Sequence, residues 1–218
     1  MGQGKSNHFC MERVDANSQR YRTMNKSEFE KLHNRVQRSH DAVFCKANMG
    51  FSRSQRQFDG SVTEIEIVGI KAPEQLEDEL LNLFIWLWNM KDYLKALCPS
   101  CGIASNRIEH IANAERCLTI TADIANRAKH GGLRESRSED FARLQHVGFS
   151  VPMSALSSIA FEKPAVRIVV GIPDNSEMYA EIGFDSGADP VDAFLTASQA
   201  LEAWQVHAFP LVGISGVA

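Results

Sequence analysis

Residues 73–97 read PEQLEDELLNLFIWLWNMKDYLKAL, and this stretch decides the fold. Pro73 suits the first position of a helix, and Glu74, Glu77, Asp78 and Glu79 favour the positive end of its dipole. Between residues 80 and 90 apolar side chains fall on every side of the helix, so other elements must enclose it. A central helix with no solvent face implies a bundle around it. The apolar run covers 11 residues, where about 20 are needed to cross the hydrocarbon core of a membrane, so no membrane span is expected. Pro99 ends the helix.

Outward from this centre the pattern stays mainly helical. Asn25 caps a first helix, with Glu28 three residues on as in a capping box, and Phe29, Leu32, Val36, Val43, Phe44 and Ala47 carry the stripe to about Asn48. A third helix opens near Ser105 or Asn106 and runs to His130, where Gly131 and Gly132 leave it. A last helix starts at Pro190 and passes through Phe194, Leu201 and Trp204. Trp86, Trp88 and Trp204 read as bundle core. Residues 50–60 read as a loop, and residues 62–70, with Ile65 and Ile67 alternating with glutamates, as a short strand. Strands are also expected over residues 159–161, 166–172 and 178–184, separated by Lys163-Pro164 and Pro173-Asp174-Asn175-Ser176 turns.

The expected fold class is therefore α+β: a predominantly helical bundle of about four main helices, with a small antiparallel sheet at about 144–185 inserted before the last helix. The expected organisation is a flexible leader over 1–24, one domain over 25–208 and a tail over 209–218. No internal repeat is found.

The 218 residues are 44% hydrophobic and 23% charged, which excludes intrinsic disorder, a collagen-like repeat and a disulfide-stapled miniprotein. The net charge of −4 conceals a split. Residues 1–60 hold eleven Lys/Arg against six Asp/Glu (+5), and residues 61–218 hold twelve against twenty-one (−9). A basic segment on an acidic body is either a surface for nucleic acid or an acidic partner, or a segment docked on its own body. Five cysteines, Cys10, Cys45, Cys98, Cys101 and Cys117, with no apolar signal segment, imply reduced thiols and a cytoplasmic setting. The first six residues fit a loose myristoylation pattern with Ser6 in place. Gly4-Lys5-Ser6 is a fragment of a phosphate loop that lacks the strand such a loop follows.

The informative polar residues lie on the third helix. With Asp123 at 0°, Asn126 falls at about −60°, Arg127 at about +40° and His130 at about −20° at ~100° per residue, so the four share one stripe in an apolar helix. Such groups need partners. Lys91 and Asp92 on the second helix are candidates, with Asp92 expected to face the start of the third helix near Arg107 or His110. A histidine held by a carboxylate beside Arg and Lys can move a proton and stabilise a phosphorane-like charge without metal, the logic of a metal-independent ribonuclease. The same residues also read as a helix end, in which Lys129 and His130 complement the dipole and Asp123 pairs with Arg127 at i,i+4.

The stretches Trp88-Asn89-Met90-Lys91-Asp92-Tyr93 and Asp123-Ile124-Ala125-Asn126-Arg127-Ala128-Lys129-His130, in a helical bundle of this size, resemble the HEPN superfamily. Many of its members are helical ribonucleases of bacterial toxin and antiphage systems. The resemblance covers about residues 25–131 and extends to the last helix, and it leaves the strands unexplained. The catalytic signature of that superfamily is Arg, four to six residues, then His. Arg127 and His130 have two residues between them, whereas Arg35 and His40 have four. The resemblance implies RNA cleavage or RNA binding without a cofactor. His130 or His40 would exchange the proton of a 2′-hydroxyl, and Arg127 or Arg35 would hold the phosphate. Asp123 and Asn126 would orient the histidine, with Lys129 and Asp92 beside them. It also implies a site completed across a homodimer.

Two other classes stay open. In a non-catalytic interaction module the stripe would be a structural network, and the basic first helix would bind a protein partner. In a zinc-stabilised regulator Cys98 and Cys101 would supply two thiolates, with His110 and Cys117, seven apart on the next helix, as further donors. His33 and His40, also seven apart, read as surface residues.

Overall fold

A computed structural model describes residues 24–45, 50–58, 60–151, 166–171 and 178–214. Helix α1 (Lys26–Phe44) begins with the expected capping box: the Asn25 side chain accepts from the Glu28 backbone N–H at 2.9 Å, and the Glu28 carboxylate accepts from the Asn25 N–H at 3.1 Å. The helix stops at Phe44, short of Asn48, with extended Cys45 as its cap. Helix α2 (Pro73–Leu97) has the bounds its sequence announces. It is the hub of the molecule. Leu80, Leu83, Phe84, Leu87, Met90 and Leu94 are fully buried, enclosed by α1, by α4 (Arg116–His130), by α5 (Ala193–Ala203) and by strand β3 (Arg143–Phe149).

The stretch read as one third helix is two: α3 (Asn106–Ala114) and α4, parted at Glu115, whose backbone is extended (φ −91°, ψ 115°). No Pro or Gly marks the break, so nothing in local propensity announces it. Helix α4 ends as expected at Gly131, in the left-handed region at φ 69°. With α3 and α4 separate, the described residues form five α-helices where about four were expected.

The sheet is also richer than expected. A second, antiparallel sheet is made of β3, β5 (Met178–Gly183) and β6 (Val191–Asp192), and beside it stands a first three-stranded sheet of β1 (Gly50–Arg56), β2 (Val62–Val68) and β4 (Val166–Gly171). In it β1 and β2 form a hairpin, and β4 joins β2 in parallel. Residues 50–56, read as loop, are thus mostly strand. Six of the seven are exposed, so no buried face imposes the alternation that identifies a strand. The strand expected over 159–161 lies outside the described residues, as does the leader up to residue 23 with its Ser6 and Gly4-Lys5-Ser6 patterns.

The last helix begins at Ala193, capped by Asp192 through the Leu195 N–H at 2.7 Å, and passes into a π-turn over Trp204–Ala208. Trp204 is fully buried and donates its indole N–H to the Leu87 carbonyl at 2.9 Å. Trp88 is buried too, whereas Trp86 is only partly covered. Residues set apart as tail belong to the core: Phe209 and Val212 are fully buried, and Phe209 meets Phe29 edge to face at 5.3 Å.

Candidate functional site at the end of α4

Helix α4 buries three polar residues within one enclosed stretch, Thr119, Thr121 and Asp123. The threonines satisfy themselves on their own helix, through Arg116 and Cys117 carbonyls at 2.9 and 2.7 Å. Asp123 is fully buried and turns to the segment that follows the helix. Its Oδ2 accepts from the Ser136 and Ser138 hydroxyls, both at 2.5 Å, and from the Ser138 and Ala142 N–H groups at 3.3 Å. Its Oδ1 accepts from the Arg137 N–H at 2.7 Å. Residues 136–142 are thereby wrapped around one carboxylate, and two of them, Glu139 (φ 66°) and Phe141 (φ 50°), sit in the left-handed region that side chains other than Gly rarely adopt.

Arg137 continues from this loop into a charge network that the sequence reading did not include. Its guanidinium lies 4.8 Å from the centroid of Trp88, and donates to Glu109 at 3.2 Å and to Asn113 at 2.8 Å. Glu109 also takes Lys95 at 2.7 Å and Lys91 at 3.5 Å, and the Lys91 ammonium stands 4.4 Å from the Trp88 ring. Burial pushes the Glu109 carboxyl up, but the Lys95 hydrogen bond, the charges of Lys91 and Lys95 and the Arg137 hydrogen bond outweigh it and bring it to about 2. Of the two α2 residues expected to meet the next helix, Lys91 and Asp92, Lys91 reaches Glu109. Asp92 is exposed, 3.7 Å from Lys91, while Lys91 and Lys95 make the crossing. The missed signal is the Glu109/Asn113 pair at i,i+4 on α3. Arg137, in a loop, has no period from which its partner could be read.

His130 is exposed and makes no hydrogen bond or ion pair among the described residues. It lines an open depression of about 680 Å³ together with Asn126, Gly131, Gly132, Leu133 and Arg134, with no carboxylate among these residues. Lys129 donates to Asn89 at 2.5 Å. Arg127 is half-buried: its side chain's only hydrogen bond among the described residues is a long one to the Phe141 carbonyl, at 3.4 Å, and its buried Nε has no partner there. The expected stripe therefore separates into two parts. Asp123 is occupied by the loop and does not orient His130, while Asn126 and His130 share the depression and Arg127 reaches the Phe141 carbonyl.

The second Arg/His pair does not converge. Five residues apart on α1, Arg35 and His40 are about 140° apart around the axis. Arg35 lies over Trp86 at 5.1 Å, while His40 stacks on Phe44 at 4.5 Å and approaches Ser198 at 3.3 Å. His33, read as a surface residue, is buried against Phe209, and burial lowers the pKa of its imidazole below the usual 6.5. Cys98 is fully buried and Cys101 donates to the Val212 carbonyl at 3.3 Å. Burial, then the neighbouring Cys101, raises the Cys98 thiol, and burial, then Glu115, raises Cys117. These thiols are poorly disposed to ionise. Among the described residues no group of three or more His, Cys, Asp or Glu side chains is placed to hold a metal ion, and no helix is long and apolar enough to cross a membrane. No family model, curated protein or solved structure matches the chain.

Proposed function

We propose that the protein binds single-stranded RNA by its phosphate backbone at the C-terminal end of α4, as the resemblance to the HEPN superfamily implies, and that this end binds RNA without cleaving it. The observation that carries the reading is Arg127, a half-buried guanidinium that makes no ion pair among the described residues and whose Nε has no partner. A cation removed from water without an anion is costly, and a phosphate would supply the missing acceptors in bidentate form. Beside it, His130 and Arg134 line a depression free of carboxylates. Cleavage there would need a histidine held in one tautomer by a second group, and Asp123 is committed to residues 136–142. Binding within a toxin or antiphage system is the setting the resemblance implies.

The test is fluorescence anisotropy with labelled single-stranded RNA, paired with denaturing gels. Arg127→Gln is expected to weaken binding by about tenfold or more and to reduce the slope of log K against log salt by about 0.7, the value of one lost phosphate contact on a single strand. RNA on the gels stays intact. Undiminished binding by Arg127→Gln would refute the reading, and RNA loss that disappears in His130→Ala would replace it with the nuclease.

A further inference from the structure

The outer face of the second sheet carries an arrangement that neither the bundle nor the α4 end requires. Tyr179, Glu181 and Gly183 alternate on that face of β5, while Ala180 and Ile182 point into the core. The register with β3 pairs Gln145 with Glu181 and Gly148 with Tyr179, three steps on one strand against two on the other. The extra residue is a β-bulge, and His146 within it is held at φ 49°, a conformation that a residue other than Gly adopts at a cost. The bulge raises the imidazole from the sheet, 69% exposed, with Nδ1 3.0 Å from the Glu181 carboxylate.

Two glycines leave room for flat groups beside it. A Cβ at Gly148 would lie 2.7 Å from the Tyr179 Oη, 2.8 Å from Cζ and 3.3 Å from Cε2. That point sits beside the C–O bond, and because the nearest ortho carbon, Cε2, is farther away than Oη and Cζ, it lies over the plane of the phenol and not at its edge. The ring therefore lies flat on the strand at Gly148, one face against backbone and the other turned outward; Tyr179 is 47% exposed. At Gly183 a Cβ would fall on the Gln145 carboxamide, nearly equidistant from its Cδ, Nε2 and Oε1, so this group too lies flat. Arg143 pairs with Asp185 at 2.8 Å, the Glu181 carboxylate is taken by the His146 imidazole, and Asp192 is used in capping α5. With the Arg143 guanidinium already on a carboxylate, the paved face suits a neutral planar group and not a phosphate.

We infer that this face is a binding site for a nucleobase, stacked on Tyr179, with its edge read by His146. Glu181 accepts the Nδ1 proton and leaves Nε2 as an outward acceptor, which favours a base with an exocyclic amine, such as adenine or cytosine. Stacking on an aromatic face is the sequence-tolerant way in which proteins hold single-stranded bases. The inference deepens the RNA reading by giving it a contact to bases and rests on that reading for the polymer. An isolated nucleoside tests it apart from Arg127, because it carries no phosphate.

The experiment is an NMR titration of the full chain with adenosine, with ribose 5-phosphate as the baseless probe. Adenosine is expected to bind with saturable shifts, weakened at least about fivefold by Tyr179→Ala, the lower end of what one stacked base contributes. It is weakened also by Gly148→Ala, which lifts the ring, and kept within about twofold by Tyr179→Phe, which retains the π-face. Ribose 5-phosphate is expected not to compete. Failure of adenosine to bind, binding indifferent to Tyr179→Ala and Gly148→Ala, or equal competition by ribose 5-phosphate each overturns the assignment. Arg127→Gln leaves adenosine binding unchanged while weakening RNA, so the two sites fail or stand separately.

Discussion

A carboxylate that accepts five hydrogen bonds from one short segment acts as a template for that segment. In Asp123→Asn the amide keeps the shape but turns one acceptor into a donor, facing donors that are partly or wholly withdrawn from water. The expected loss is about 2–4 kcal/mol, measured by urea denaturation, with residues 136–142 losing amide protection first. Glu109 sets a second, pH-dependent expectation. Its folded pKa of about 2 lies below the ordinary 4.5, so its contribution is complete above about 4.5 and is lost as the pH falls toward 2. Chemical denaturation between pH 6 and 2 should show that loss, and Glu109→Gln should flatten it. His33 acts in the same direction at higher pH. Buried in its neutral form, it holds its proton less well than it would unfolded, so stability falls as the pH drops below about 6.5, and His33→Gln should remove that part of the dependence. The sequence placed Asp123, Asn126, Arg127 and His130 on one stripe, which the fold divides between the loop around Asp123 and the depression at Asn126 and His130. Their partners were not legible, because Ser136, Ser138 and Arg137 meet them through a loop without period, and a loop residue's neighbours are decided by tertiary structure.

At the level of elements, legibility follows how strongly local physics constrains the chain. Pro73 and the all-round apolar run gave α2 its bounds, and the Asn25/Glu28 box and Gly131 gave α1 its start and α4 its end. The break at Glu115 and the polar strand β1 carry no such constraint, since packing imposes the first and pairing with β2 the second. Gly131 tests the helix end directly. At φ 69° with nothing within 4 Å of an added Cβ, Gly131→Ala meets only backbone strain and should cost about 1 kcal/mol, measured as a shift in urea midpoint without change of fold by circular dichroism. Trp204 tests the joint between α5 and the hub. Trp204→Phe removes the indole bond to the Leu87 carbonyl and leaves a void beside it, for an expected loss of about 2–4 kcal/mol.

At the scale of the whole molecule, the helices and the second sheet share one core through Ala180, Ile182 and Phe184, while the first sheet has a small cluster of its own around Ile67, Ile70 and Val170. Lys71 links the two parts. Almost fully buried, it donates to the Ala42 carbonyl near the end of α1 and to the Glu79 carboxylate of α2. Lys71→Met should therefore loosen the first sheet from the helices more than it unfolds the helices, a difference that hydrogen exchange reads by region. The parallel pairing of β2 with β4 also has a kinetic meaning. Thr63 meets Val166, so this contact closes a loop of about a hundred residues and yields nothing until the chain between is in place. The hub helix and its neighbours can collapse first, and the first sheet zips up last. Val170→Ala, at the buried centre of that late pairing, is expected to speed unfolding while leaving the folding rate nearly unchanged, the mark of a contact absent from the transition state.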